Sequence, residues 1–186
     1  AGQCGGAQLY APRGMDTRPT QDKVKESLFS IIQAYVPGAR VLDLFAGSGA
    51  LALEALSRGA DFAALADRDR EAVSCIRRNG EKLRFMDAMR IYAGDWRQAL
   101  SQMKGEERRF DLVFLDPPYQ TDLLETAIAH IARHDLLNVH GMMIAEHPVD
   151  KALPALSAPY RMGRTYRYGK IAVTIYHRDG DEGAQV

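Results

Sequence analysis

The chain reads as an α/β protein with a Rossmann-like, seven-stranded, mostly parallel sheet, helices on both faces and an antiparallel C-terminal hairpin. Three observations predict this. Short apolar runs alternate with helical patterns from residue 20 to residue 147, the mark of repeated βα units. The run Val41 to Phe45 passes straight into a glycine turn, Gly47-Ser48-Gly49, and then into a helical pattern. After Pro148 the rhythm changes to two β-rich segments that flank Gly169-Lys170 closely enough to be a hairpin.

Taken in order, Thr20 can cap a helix whose apolar residues Val24, Leu28, Ile31, Ile32 and Tyr35 follow helical spacing, and Pro37-Gly38 ends it. Parallel strands are expected at Arg40 to Phe45, Phe62 to Ala66, Arg90 to Ala93, Phe110 to Leu115 and Met142 to Glu146. Helices fill the intervals at Ala50 to Arg58, Arg70 to Leu83, Trp96 to Met103 and Leu123 to Ala132. The hairpin strands are Tyr160 to Tyr168 and Ile171 to His177. The glycine-rich start (Gly2, Gly5, Gly6) and the acidic end from Asp179 to Val186 read as flexible.

Composition bounds the class. At 186 residues, 46% hydrophobic and 26% charged, one domain can bury a full core without staples. No run reaches the length of a membrane span, and no basic-then-apolar leader is visible. Cys4 and Cys75 stand far apart and read as reduced thiols, which suits a cytoplasmic protein. The net charge of zero is not that of a general nucleic-acid binder, but the distribution is uneven. From Lys151 to Arg178 six basic residues, among them Arg164, Arg167 and Lys170, alternate with Tyr160, Tyr166, Tyr168 and Tyr176 without one acid. Such a stretch suits phosphate contact and base stacking, and equally a solvated strand face.

Two motifs carry chemistry. Asp116-Pro117-Pro118-Tyr119 follows the apolar run Phe110 to Leu115, at the C-terminal end of a buried strand. Consecutive prolines fix an extended turn whose carbonyls have no internal partner. Asp116 and the Pro117 carbonyl can each accept one hydrogen of a planar exocyclic amine while Tyr119 stacks on the ring, an arrangement for modifying a nucleobase. Alone, the tetrapeptide is also ordinary turn punctuation.

The glycine turn is the second motif. Gly47 to Ala52 satisfies G-x-G-x-x-A, so a nicotinamide enzyme stays open. Asp43, four residues before the first glycine, is poorly placed beside a pyrophosphate and better placed beside a cationic cofactor without phosphates. S-adenosylmethionine has that character. Asp67, with Arg68 beside it, ends the second strand at the spacing from which a carboxylate accepts from ribose hydroxyls. Asp95 can take the adenine amine with Trp96 against the ring.

Thr17-Arg18-Pro19-Thr20, Val24 to Phe29, Val41 to Gly49 (with Phe45, Ala46 and Ser48 in the turn), Leu53 to Gly59, Asp116 to Tyr119 and Tyr168-Gly169-Lys170 together span nearly the whole chain. On these residues it resembles the bacterial 16S rRNA guanine(966)-N2-methyltransferase family of the RsmD type. The resemblance implies an S-adenosylmethionine site lined by Asp43, Gly47, Gly49, Asp67 and Asp95, a base held at Asp116 to Tyr119, and Arg18 near both. It implies a substrate of small-subunit rRNA or a ribosomal subunit particle. The chain is read as a substrate-contacting appendage (1–19), a methyltransferase domain (20–178) and a tail (179–186), acting as a monomer without membrane contact. Two departures are present: the first cation is Arg13 where the family is rich in Lys and Arg, and position 67 holds Asp where relatives often carry Glu.

The same four residues at 116–119 would serve an N6-adenine methyltransferase on DNA or another RNA, and an inactive RNA-binding module would keep the fold. A metal is not expected. His130 and His134 have a shared-face spacing but no third ligand, and read as a solvated helix face. His147, before Pro148, reads as a loop residue at the functional edge.

Overall fold

A computed structural model describes residues 2–15, 19–118 and 122–181. The first helix, α1 (Pro19–Ile32), starts on a proline, which the unpaired first turn of a helix tolerates. Thr20, expected at the cap, is therefore already inside the first turn. The helical pattern read as far as Tyr35 closes as a 3-10 turn, Gln33–Tyr35, and Gly38, at φ 76°, redirects the chain into β1 (Arg40–Asp43). Then follow α2 (Ala50–Ser57), β2 (Phe62–Asp67), α3 (Arg70–Leu83), β3 (Met89–Ala93), α4 (Trp96–Gly105), β4 (Phe110–Leu115), α5 (Leu123–His134), β5 (Leu137–Pro148), β6 (Tyr160–Tyr168) and β7 (Ile171–Arg178).

The seven strands lie in the order β3-β2-β1-β4-β5-β7-β6. The first five run parallel, and β7 pairs antiparallel with both β5 and β6. Between β1 and β4 the order reverses, which opens a crevice at the carboxyl ends of those strands.

Strand alternation splits the core in two. Val41, Leu112, Phe114, Met142 and Ile144 pack with Leu28, Phe29 and Ile32 of α1, and Leu65 with Leu53 and Ile76 continues that side under α2 and α3. Leu42, Val113 and Met143 pack on the other side with Leu100 and Met103 of α4 and Ile128 and Ile131 of α5. Buried aliphatic and aromatic side chains such as these each contribute about 1.5–3 kcal/mol relative to exposure, and they fix the level at which each strand ends.

Two strands differ from expectation by more than one residue. β1 stops at Asp43, because Leu44 and Phe45 already belong to the turn. β5 starts at Leu137, well before Met142, and pairs with β4 through a register shift between Phe110 and Leu112. His140 takes φ 67° within it, the local distortion that absorbs the extra residues.

Candidate active site

A cavity of about 730 Å³ opens over the crevice between β1 and β4. Phe45 and Gly47 line it from the first strand turn, Asp67 and Arg68 from the second, Asp95 and Trp96 from the third, and Asp116, Pro117 and Pro118 from the fourth. Four successive strand ends thus converge on one space.

The glycine turn is locked to its neighbour. Gly47 N–H donates to Asp67 Oδ2 at 2.8 Å, and the Asp69 N–H donates to Asp67 Oδ1 at 2.9 Å. Gly49 N–H turns back onto the Ala46 carbonyl at 2.7 Å. A pyrophosphate cradle needs such amides free, so this turn is not built for one and the nicotinamide reading loses its main support. Gly47 has φ 57°, a backbone conformation that favours glycine; the Met15 Cε, 2.8 Å from where a Cβ would stand, is the end of a flexible exposed side chain that can move aside. Ala46, Ser48 and Gly49 shape the turn from behind and do not line the cavity.

Asp43 is buried at 1% exposure and does not line the cavity, contrary to the expectation of direct contact. Its carboxyl is pushed up to about 7, first by burial and then by the charge of Asp116; the Ala52 N–H partly offsets the rise. The Ala52 N–H is near enough to act on the charge but does not reach hydrogen-bonding geometry, and neither oxygen closes a hydrogen bond among the described residues. A buried, unpartnered carboxylate beneath a cavity favours a cation above it through a medium that screens little. Asp116 opens to the cavity on one side and is enclosed by protein on the others, and that enclosure raises its carboxyl. Glu146, which sequence reasoning left as the plain end of β5, is raised by burial and by the charge of Asp116.

At the far end of the cavity Asp95 caps α4, its Oδ1 accepting from Arg97 N–H at 2.8 Å. Trp96 is buried, edge-on to Phe45 at 6.2 Å and to His130 at 5.1 Å, with the Arg97 guanidinium over its indole at 4.4 Å. His130 braces the tryptophan with one edge while its other side stays open to solvent beside Arg133. An acid and an aromatic wall at this end suit a planar heterocycle with an amine.

With this geometry in view, the comparisons decide the family. The model described as conserved hypothetical protein 95 matches residues 1–177. The chain is 39% identical over 175 residues to YlbH of Bacillus subtilis (strain 168), covering 94% of this chain and 95% of that one. It is 33% identical over 178 residues to ribosomal RNA small subunit methyltransferase D of Escherichia coli (strain K12), covering 96% and 88%. The solved structure of yhhF from Escherichia coli superposes with a TM-score of 0.84 at 30% identity, over 96% of each chain. The chain belongs to the conserved hypothetical protein 95 family, of the RsmD type.

Within this RsmD-type chain the residues expected to meet substrate separate into groups. Arg18 and Tyr119 lie outside the described residues. Arg164, Arg167 and Lys170 are exposed on β6 and its turn, away from the cavity, with no acidic partner among the described residues. Arg164 lies over the Tyr166 ring at 5.0 Å. The other three cations of that stretch serve structure: Lys151 pairs with Glu125 at 3.1 Å, Arg161 with Asp179 at 2.9 Å, and the buried Arg178 with Asp135 at 2.9 Å. His147 is a buried member of β5, not a loop residue, held between the Pro148 carbonyl and Thr174 Oγ1 at 2.8 Å each.

The segment before α1 was expected to contact substrate through Arg18, and the residues of it that meet the cavity are others. Pro12, Arg13 and Met15 line the cavity. Asn79 of α3, fully buried, anchors that segment: its Nδ2 donates to the Tyr10 and Ser48 carbonyls at 2.9 Å each, and its Oδ1 accepts from Tyr10 N–H at 2.7 Å. The glycine-rich start is also tied down, with Gln3 N–H on the Ser57 carbonyl and Cys4 N–H on Ser57 Oγ, 2.8 Å each. An Asn preceding a Gly within a helical pattern was the only local signal.

Proposed function

We propose that this chain transfers the methyl group of S-adenosylmethionine to the N2 amine of a guanine in small-subunit rRNA, acting as a cytoplasmic monomer on the rRNA or on a ribosomal subunit particle. The observation that carries the reading is Asp116. It stands with the Pro117 carbonyl at the switch point, on the rim of a cavity with an unpartnered buried carboxylate beneath it. Membership of the RsmD-type family and the name of the Escherichia coli relative support the substrate class. Two free thiols, one of them buried, suit a reducing compartment.

The residues fit the cofactor. Asp43 would favour its positive charges from below, Asp67 would accept from its ribose, and Asp95 and Trp96 would take its adenine. When bound, it supplies an electrophilic methyl on a sulfonium, with a neutral thioether as leaving group. A guanine N2 amine is a poor nucleophile because its lone pair is delocalised into the ring. Asp116 and the Pro117 carbonyl accept its two hydrogens, draw the nitrogen toward tetrahedral geometry and turn the lone pair to the cavity. Ionised Asp116 then offsets the positive charge that develops on nitrogen, and its raised basicity suits it to hold the departing proton. The base must leave its stack to reach this rim, so the target nucleotide is extruded or lies in an open loop.

The test is to incubate the protein with methyl-labelled cofactor and, separately, naked small-subunit rRNA, assembly intermediates, finished subunits and duplex DNA, then digest to nucleosides. Label in N2-methylguanosine from an rRNA substrate is expected. Label in N6-methyladenosine would replace this reading with the adenine one, and saturable NAD binding without S-adenosylmethionine binding would remove both.

A further inference from the structure

β4 and β5 run parallel in a register that sets Leu112 beside Met142 and Phe114 beside Ile144. All four side chains pack on the α1 side of the sheet. One step beyond the last pair, Leu115 with Ala145, the same register sets Asp116, just past the end of β4, level with Glu146, still within β5, at a backbone spacing of about 4.8 Å. Glu146 is half-buried, and it does not line the cavity; it sits on the β5 side of Asp116. Across the sheet it pairs with Val173, which pairs with Tyr166, and Tyr166 and Tyr168 are half-buried against the same face. The flank of Asp116 away from the cofactor cavity thus offers a second acceptor and an aromatic border.

Adjacent acceptors are satisfied by adjacent donors. Among the nucleobases that carry an exocyclic amine, guanine presents a ring N–H, at N1, directly beside that amine. Adenine and cytosine present a ring lone pair there. Resting on the methyl-transfer reading above, we propose that Glu146 determines base specificity: it accepts the N1–H of a guanine whose N2 amine is held by Asp116, and it repels the ring lone pair that adenine or cytosine would bring to the same place. Burial raises both carboxyls, and the charge of Asp116 adds to the rise at Glu146. Two such groups hold protons as a unit until a donor pair arrives. A site built to receive a hydrogen rejects an analogue that lacks it far more strongly than an apolar pocket rejects a change of size.

The test uses small-subunit rRNA in which the accepting guanosine is replaced by 2,6-diaminopurine riboside, which keeps the N2 amine and turns N1 into an acceptor. The wild-type protein is expected to favour guanine by at least about 100-fold in kcat/KM. Glu146→Gln, whose amide can present either its oxygen or its NH2, is expected to narrow the preference to within about tenfold at unchanged cofactor affinity. Equal wild-type rates on the two bases, or the same ratio in E146Q as in wild type, would overturn the role of Glu146 while N2-methylguanosine formation still upheld the reaction. If E146Q fails to bind cofactor, the wild-type ratio alone decides. Absence of N2 methylation on guanine in any rRNA form would overturn the reaction and this role with it.

Discussion

Asp43 carries a cost in the cofactor-free protein. Its carboxyl has an ordinary value of 3.8 and is pushed up to about 7 in the fold, so between these pH values the native chain holds a proton that the unfolded chain has released. The contribution of this group is complete below about pH 4 and is lost progressively as pH rises to about 7, on the order of 4 kcal/mol in all. Asp43→Asn should remove that loss, making the cofactor-free variant more stable than wild type at pH 8 and no more stable at pH 4. The same substitution should weaken S-adenosylmethionine binding about tenfold or more. Melting curves from pH 4 to pH 8, with calorimetry at pH 8, check both; parallel melting profiles would contradict the account. The residue itself was legible as a strand-end acid, but its burial was not. Which side of a turn a carboxylate enters depends on where α2 packs, and nothing local to positions 43–49 states that. Glu146 was missed for a similar reason: its level relative to Asp116 is set by the register of β4 on β5, strands separated in sequence by a whole helix.

At the scale of elements, the strands and helices were readable because apolar periodicity follows directly from burying one face. The seven strands and the helices fall where the pattern places them, β4, β6 and α3 with the bounds as read and the others with ends moved by one to several residues, and α1 begins one residue before the expected cap. Ends move where geometry overrides pattern, as when the glycine turn shortens β1 or the β4–β5 register shift lengthens β5. The segment before α1 has no periodicity, so a place near the site was implied by resemblance alone, and its cavity-lining residues Pro12, Arg13 and Met15 could not be read. It is held by side-chain bonds to α3, and Asn79 is its latch. Asn79→Ala leaves the Tyr10 N–H and two carbonyls without this partner, and should cost about 1–3 kcal/mol of stability. It should also weaken cofactor binding about tenfold, since Ser48 and the residues that follow Tyr10 lose a common anchor. Thermal melts give the first quantity and calorimetry the second. Lost stability with unchanged affinity would confine Asn79 to packing.

The whole molecule has 24 basic and 24 acidic residues, so its grip on a polyanion must come from placement rather than net charge. Of the six cations between Lys151 and Arg178, three are committed to ion pairs, which leaves Arg164, Arg167 and Lys170 exposed along β6 and its turn. Tyr166 and Tyr168 share that strand on the face that carries Glu146. Replacing the three cations with Ala should leave cofactor affinity unchanged and lower the salt dependence of RNA binding. The slope of log K against log salt should fall by about 2, from roughly 0.7 per cation on single strands. An unchanged slope would move the RNA to another surface.

The central claim is that one carboxylate at the rim holds the reacting amine while a separate set of groups holds the cofactor. The direct measurement is Asp116→Asn, assayed in parallel for S-adenosylmethionine affinity by calorimetry and for methyl transfer to small-subunit rRNA by nucleoside analysis. The account predicts affinity within a few-fold of wild type and N2-methylguanosine formation reduced by at least about 100-fold. Turnover near the wild-type rate, or an equal collapse of cofactor affinity, would contradict it.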